Sequence, residues 1–176
     1  MLPKGFSTTR LTLRSVMLED AVTIFQTYAQ DPEVTRFLTW SPHQAVTETA
    51  AYIAHCLATP ADIGRTYVLI GRDDGKLQGA LDLRRSTPHR LEFGYVLGRP
   101  FWGSGLMTEA LQEVVAWSLH QPAIFRIGAS CDVDNIASAR VMEKAGLERE
   151  GLLRRWLIHP NVSLEPRDCF AYACSR

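Results

Sequence analysis

The chain has 176 residues, 46% of them hydrophobic and 22% charged, with 19 Lys+Arg against 19 Asp+Glu and a formal net charge of +0. That length predicts a single domain over 1–176, able to bury roughly 70% of its unfolded surface without staples. Zero net charge argues against a coat for nucleic acid or for an anionic membrane, so neither is an expected partner.

Cys56, Cys131, Cys169 and Cys174 form no C-x-x-C pair, and with the five scattered histidines they make no zinc pattern. No metal is expected. Scattered thiols suit a reducing compartment. The start, MLPKGFSTTR, holds no apolar core of secretory-signal length, and no apolar run approaches ~18 residues. A cytoplasmic location is the expectation.

In chain order, Leu11–Arg14 alternates and reads as a strand. Leu18, Val22, Phe25 and Tyr28 recur at helical spacing, closed by Asp31-Pro32. Ser41–Gln44 reads as a capping box with proline in the first turn, followed by a helical stripe of Ala45, Thr49, Ile53, Cys56 and Leu57. Thr66–Gly71 and Leu77–Leu83 read as strands joined by an Asp-Asp-Gly turn, and Leu91–Leu97 as another. A helix from about Gly105 to Leu119 carries Met107, Ala110, Leu111, Val114 and Trp117 on one face. Ile124–Ser130 is β-rich, a short helix spans about Asn135–Ala145 before Gly146, and Leu147–Ile158 and Cys169–Cys174 close the chain as strands. The strands at 91–97 and 124–130, separated by a helix, should be parallel through a right-handed crossover. The whole predicts an α+β, mixed α/β fold: one mostly antiparallel sheet with helices packed on it.

Three constellations point to chemistry. Between a strand and a helix start lies Trp102-Gly103-Ser104-Gly105-Leu106-Met107-Thr108. Glycines there let bare N–H groups approach a ligand, and the helix N-terminus attracts anions. Thr108 breaks the dinucleotide fingerprint, and no G-K-[ST] follows, so a plain turn is an equal reading. Asn135 and Ser138 open the second helix, as a cap or as ligand contacts. Glu92 shares a strand face with Gly94 and Val96, opposite Leu91, Phe93 and Tyr95. A carboxylate there is a general-base candidate or the partner of Arg72 or Arg84 across the sheet.

In this order, with Thr9–Arg14, Glu92-Phe-Gly-Tyr95, Phe101–Ala110 and Asn135-x-x-Ser138 through Gly146 and Glu150-Gly151, these features resemble the GNAT superfamily of acyl-CoA-dependent N-acetyltransferases. The nearer match is its RimJ/RimL-like branch. The resemblance implies a GNAT-like twisted sheet with helices on both faces, whose central parallel strands splay into a V that holds acetyl-CoA. It implies that the pantetheine arm adds to the strand edge at Tyr95, Val96 and Leu97, and that the pyrophosphate sits on the amides of Trp102–Thr108. Asn135 contacts the arm, and Lys144 approaches the nucleotide end. Phe37, Trp40 and Trp156 line the acceptor side. Pro100 departs from the superfamily pattern and removes one amide from the loop. Members are often dimers, so a homodimer is the expectation.

The mechanism this suggests is direct transfer in a ternary complex. Backbone N–H near Val96 or Leu97 stabilises the oxyanion, Glu92 removes the amine proton through water, and Ser138 donates to the leaving thiolate. A cysteine nucleophile, with Cys131 nearest the cleft, is the competing mechanism. An α-amine titrates near ~7.7–8.0 and a lysine amine near ~10.4, so a modest base suits the α-amine of a protein or peptide better. A small-molecule acceptor (a polyamine, aminoglycoside or amino-acid-like amine) is the alternative, and a non-catalytic acyl-CoA-binding module the third reading.

Overall fold

A computed structural model describes residues 1–176. Eight strands form one sheet in the order β1-β2-β3-β4-β5-β6-β8-β7. They are β1 (Gly5–Ser7), β2 (Leu11–Ser15), β3 (Gly64–Gly71), β4 (Leu77–Thr87), β5 (Arg90–Leu97), β6 (Arg126–Asp132), β7 (Glu148–Leu157) and β8 (Arg167–Ser175). Only β5 and β6 pair parallel; every other neighbour pairs antiparallel. The helices are α1 (Ala21–Ile24), α2 (Pro32–Thr35), α3 (Val46–Ala58), α4 (Leu106–His120) and α5 (Ile136–Lys144). The expected mixed sheet is therefore present, with β1 and α2 as additions. Three residues are too few to show alternation, but Phe6 of β1 packs edge-on against Tyr67 at 5.2 Å and Trp117 at 5.7 Å.

Helices cover both faces unequally. On one face, α4 and α5 bury Met107, Leu111, Val114 and Met142 against Leu13, Tyr67, Leu81, Leu91 and Phe93 in a core of 24 residues. On the other, the helical segment 18–29 and α3 bury Ile24, Tyr28 and Ile53 against Val68 and Ala80 in a core of only 9. The thinner layer leaves part of that second sheet face uncovered, and the cleft described below occupies it.

Two local expectations need correction. Leu18 and Val22 are about half exposed; Tyr28 of the expected stripe is buried, together with Ala21, Ile24 and Ala29. Leu18 opens a 3₁₀ turn over Leu18–Asp20 ahead of α1, so a stripe phased on it is out of step with the helix that follows. The segment also does not simply end at Asp31: Asp31 Oδ1 accepts from the Glu33 amide at 2.9 Å and starts α2. The capping box at Ser41–Gln44 does not form. The helix begins at Val46, with Ala45 in the cap position, because Glu48 reaches back to accept the Gln44 amide at 3.0 Å.

The parallel pair determines the shape of the centre. Only Arg90↔Arg126, Leu91↔Ile127 and Glu92↔Gly128 are in register. Beyond them β5 stays with β4 to Leu97, and β6 stays with β8 to Asp132. The two strands thus separate after Glu92, and β5 presents an unpaired edge from Phe93 to Leu97.

Candidate active site

Which amides that edge offers follows from strand alternation. The Gly98 amide donates to Gln78 O on the β4 side at 2.8 Å. Val96 and Gly94, in step with Gly98, therefore turn their backbone groups to β4 as well. Tyr95 and Leu97 turn theirs into the opening. The Leu97 carbonyl confirms the direction, because the Trp102 indole donates to it at 2.6 Å. Of the two candidate oxyanion donors, Leu97 faces the opening and Val96 does not.

A cleft of about 1010 Å³ enters the V and is lined by both predicted chemical residues, Glu92 and Ser138, together with Tyr95, Val96 and Asn135. Phe37, Trp40 and Trp156 line it as well. A β-bulge between Leu153 and Leu157 gives Arg155 a φ of 46°, a conformation rare outside glycine. Its amide is held by Asp168 Oδ1 at 2.9 Å, next to Trp156.

Glu92 pairs with neither Arg72 nor Arg84. Its partner is Arg90, two residues back on the same strand, at 2.9 Å. Arg84 lies opposite Glu92 in register but turns to Asp82, and Arg72 donates to Thr8 O at 2.8 Å. On the other wall, the Ser138 hydroxyl lies 2.7 Å from the Tyr95 hydroxyl, which is also 3.1 Å from the Ser138 carbonyl. Burial pushes the Tyr95 phenol well above its usual range against the opposing pull of the Ser138 hydrogen bond, so it keeps its proton. Asn135 Oδ1 accepts from the Ser138 amide at 3.1 Å and caps α5. Burial pushes the Cys131 thiol up to about 12, which leaves it protonated and poorly nucleophilic.

The loop after β5 has the backbone an anion needs. Gly103 and Gly105 have φ of 71° and 77°, and Gly105 stands at the cap of the 15-residue α4 with no side chain on the helix's first amides. The residues 102–108 and Leu97 lie beyond the cleft lining, at the far end of the free β5 edge. Lys144 lies outside the cleft too. It ends α5, about 13 Å along the axis from Asn135, and its carbonyl accepts from Gln112 of α4 at 3.0 Å.

Sequence reasoning missed three participants. Arg10 ties the loop down: its Nη1 donates to Ser104 O at 2.9 Å and its Nε to Glu109 Oε2 at 2.6 Å. The Tyr95 hydroxyl was read only as part of a strand edge. Asp82 drew no notice in the sequence, and only the register of β4 with β5 brings it to the cleft.

Residues 10–148 match the family described as acetyltransferase (GNAT) domain. An uncharacterized N-acetyltransferase, p20 of Bacillus licheniformis, is 31% identical over 150 residues, 84% of each chain. Among solved structures, RimL, a ribosomal L7/L12 alpha-N-protein acetyltransferase in complex with coenzyme A, superposes with a TM-score of 0.81 at 22% identity, covering 99% of this chain and 97% of its own. A spermidine N-acetyltransferase from Vibrio cholerae in complex with CoA and spermine gives 0.78 at 16% identity, covering 95% and 96%.

Proposed function

This chain belongs to the GNAT acetyltransferases, and from that premise we propose that it transfers acetyl from acetyl-CoA to the α-amine of a protein or peptide N-terminus, by direct attack in a ternary complex. One observation carries the reading: the parallel strands part after Glu92, and the opening is lined on one side by Glu92 and on the other by the Tyr95–Ser138 hydroxyl pair. The residues present fit acetyl-CoA. An extended arm can pair with the unpaired edge at Tyr95, and a pyrophosphate with the bare amides after Gly103.

When bound, acetyl-CoA supplies the acetyl group as a thioester. The Leu97 amide, pointing into the opening, stabilises negative charge on the acyl oxygen. Glu92 takes the proton of the attacking amine through water. Tyr95 donates to Ser138, whose own proton is then free for the departing sulfur. Trp102 and Asn135 border the arm, and Lys144 serves the nucleotide end. Phe37, Trp40 and Trp156 receive the acceptor. The RimL-like likeness supports a peptide acceptor, and the spermidine enzyme's likeness supports a small amine. The amine-basicity argument favours the first.

The test is mass-spectrometric detection of acetyl transfer from acetyl-CoA to a panel of peptides with free N-termini, polyamines, aminoglycosides and amino acids. Labelling of a peptide α-amine is the expected result. Labelling confined to small amines would replace it with the second reading.

A further inference from the structure

The acceptor floor contains a feature that Glu92 does not account for. On β4, Asp82 stands opposite Gly94 of β5, one step deeper into the V than the Arg84–Glu92 pair. Its side chain is 25% exposed and lines the cleft. Gly94 puts no side chain beside it, and a Cβ built there would meet nothing within 4 Å. The space next to the Asp82 carboxylate is therefore open, at the level where β5 and β6 have already parted. The Thr66 hydroxyl donates to Oδ1 at a long 3.4 Å, and Arg84 reaches Oδ2 from the rim. Burial raises the carboxyl above its usual range even against these partners, so its charge is only partly compensated.

Its surroundings are aromatic, and each arginine of its rim stands in an ion pair. Tyr52, Trp40 and Trp156 line the same cleft, and the Trp40 ring lies tilted against His43 at 4.9 Å, which in turn lies 6.3 Å from Tyr52. At the mouth stand Arg84, Arg90 and Arg126, paired with Asp82, Glu92 and Glu150 respectively. An ammonium entering this space meets a carboxylate oxygen, Asp82 Oδ1, held only by the long Thr66 bond, among rings that favour a cation. A second or third ammonium on the same molecule would find the remaining carboxylates, Glu92 and Glu150, already paired with Arg90 and Arg126.

We propose that Asp82 binds the acceptor's ammonium, and that the acceptor is an amine with a single positive charge and an apolar body beside it. Both a peptide beginning with a large apolar residue and an arylalkylamine supply that chemistry. This inference rests on the acetyltransferase reading and sharpens its acceptor.

Binding to the CoA-saturated protein tests it apart from turnover. Calorimetric titrations use 2-phenylethylamine, a tripeptide amide beginning with Phe, and spermidine. The expected result is that at least one of the two apolar amines binds more tightly than spermidine. That binding weakens roughly 10–100-fold in Asp82→Asn and is largely kept in Asp82→Glu, with CoA affinity unchanged in both. Which of the two binds identifies the source. Spermidine binding best, neither apolar amine binding, or equal binding by Asp82→Asn would each overturn the proposal. Binding without acetylated product when acetyl-CoA is supplied would instead remove the transfer reading and leave the Asp82 site standing.

Discussion

The hydroxyl of Tyr95 and the hydroxyl of Ser138, one on a strand and one on a helix 43 residues later, stand 2.7 Å apart. The contact joins β5 to α5 across the wall of the opening. It also makes two residues into one proton-carrying unit. Ser138→Ala should lower kcat about 100-fold, within the usual range for a lost general acid, with the acetyl-CoA KM changed by less than about threefold. Tyr95→Phe should cost less, and the double variant no more than Ser138→Ala alone, because groups acting as a unit are not additive. Steady-state kinetics of the three variants check this. An additive double variant would separate the two roles.

Glu92→Gln should reduce kcat at neutral pH about 100-fold and recover part of the loss at alkaline pH, where more of the amine is already neutral. Arg90→Ala, which removes the Glu92 partner, should lower kcat/KM by less than Glu92→Gln does. A pH profile of kcat/KM for each variant measures both.

Arg10 touches the loop carbonyl at Ser104 and the Glu109 carboxylate. Arg10→Ala should raise the acetyl-CoA KM about tenfold while kcat stays within a factor of about two, since the loop loses its tether and the reacting groups lose nothing. Isothermal titration with CoA gives the same quantity without turnover.

Cys131→Ser should keep at least about half of the activity, as expected of a thiol held protonated by burial. A mass spectrum of the protein after acetyl-CoA alone should show no acetylated cysteine.

Stability should fall in acid in a defined way. Burial alone would raise the Asp132 carboxyl, but the bidentate hydrogen bonds from Arg167 and the Asp134 amide hold it below its usual range. Burial would raise Asp20 and Glu109 as well, but Arg14 and the Met17 amide lower the first, and the Thr8 hydroxyl, the Arg10 amide and the Arg10 guanidinium lower the second. A carboxyl whose folded pKa is depressed contributes stability above its unfolded value near ~4, and loses it as pH falls through the folded value. The melting temperature should drop steeply below about pH 4. Asp132→Asn should cost about 1–2 kcal/mol at pH 7, because a buried carboxylate's hydrogen bonds are weakened while Arg167 keeps Asp134, and the gap to wild type should narrow toward pH 3. Thermal denaturation followed by circular dichroism across that range decides it.

What the sequence made legible was local or periodic. The alternation of residues 91–97 separates Glu92 from Leu91, Phe93 and Tyr95 correctly, and the glycines before Leu106 mark the turn onto α4. The start of the segment at 18–29 misled because a 3₁₀ turn over Leu18–Asp20 puts Leu18 out of phase with the helix that follows. The start of α3 misled because Glu48, inside the helix, does the work that a cap residue before it was expected to do. Asp82 and Arg10 were not legible at all. One acquires its meaning from register with Gly94, the other from a loop 94 residues away, and neither relation leaves a pattern in the neighbouring sequence.

The parting of β5 from β6 has a mechanical consequence. Three residue pairs are the only rungs between a five-stranded block and a three-stranded block, so the sheet is two plates riveted at one corner, with α4 as the strap between them. Whatever lies along the free edge from Phe93 to Leu97 acts as a wedge and as a missing rung. Amides on that edge, Tyr95 and Leu97 above all, should exchange with deuterium rapidly in the free protein and slowly once CoA is bound, while those of β3 and β4 should barely change.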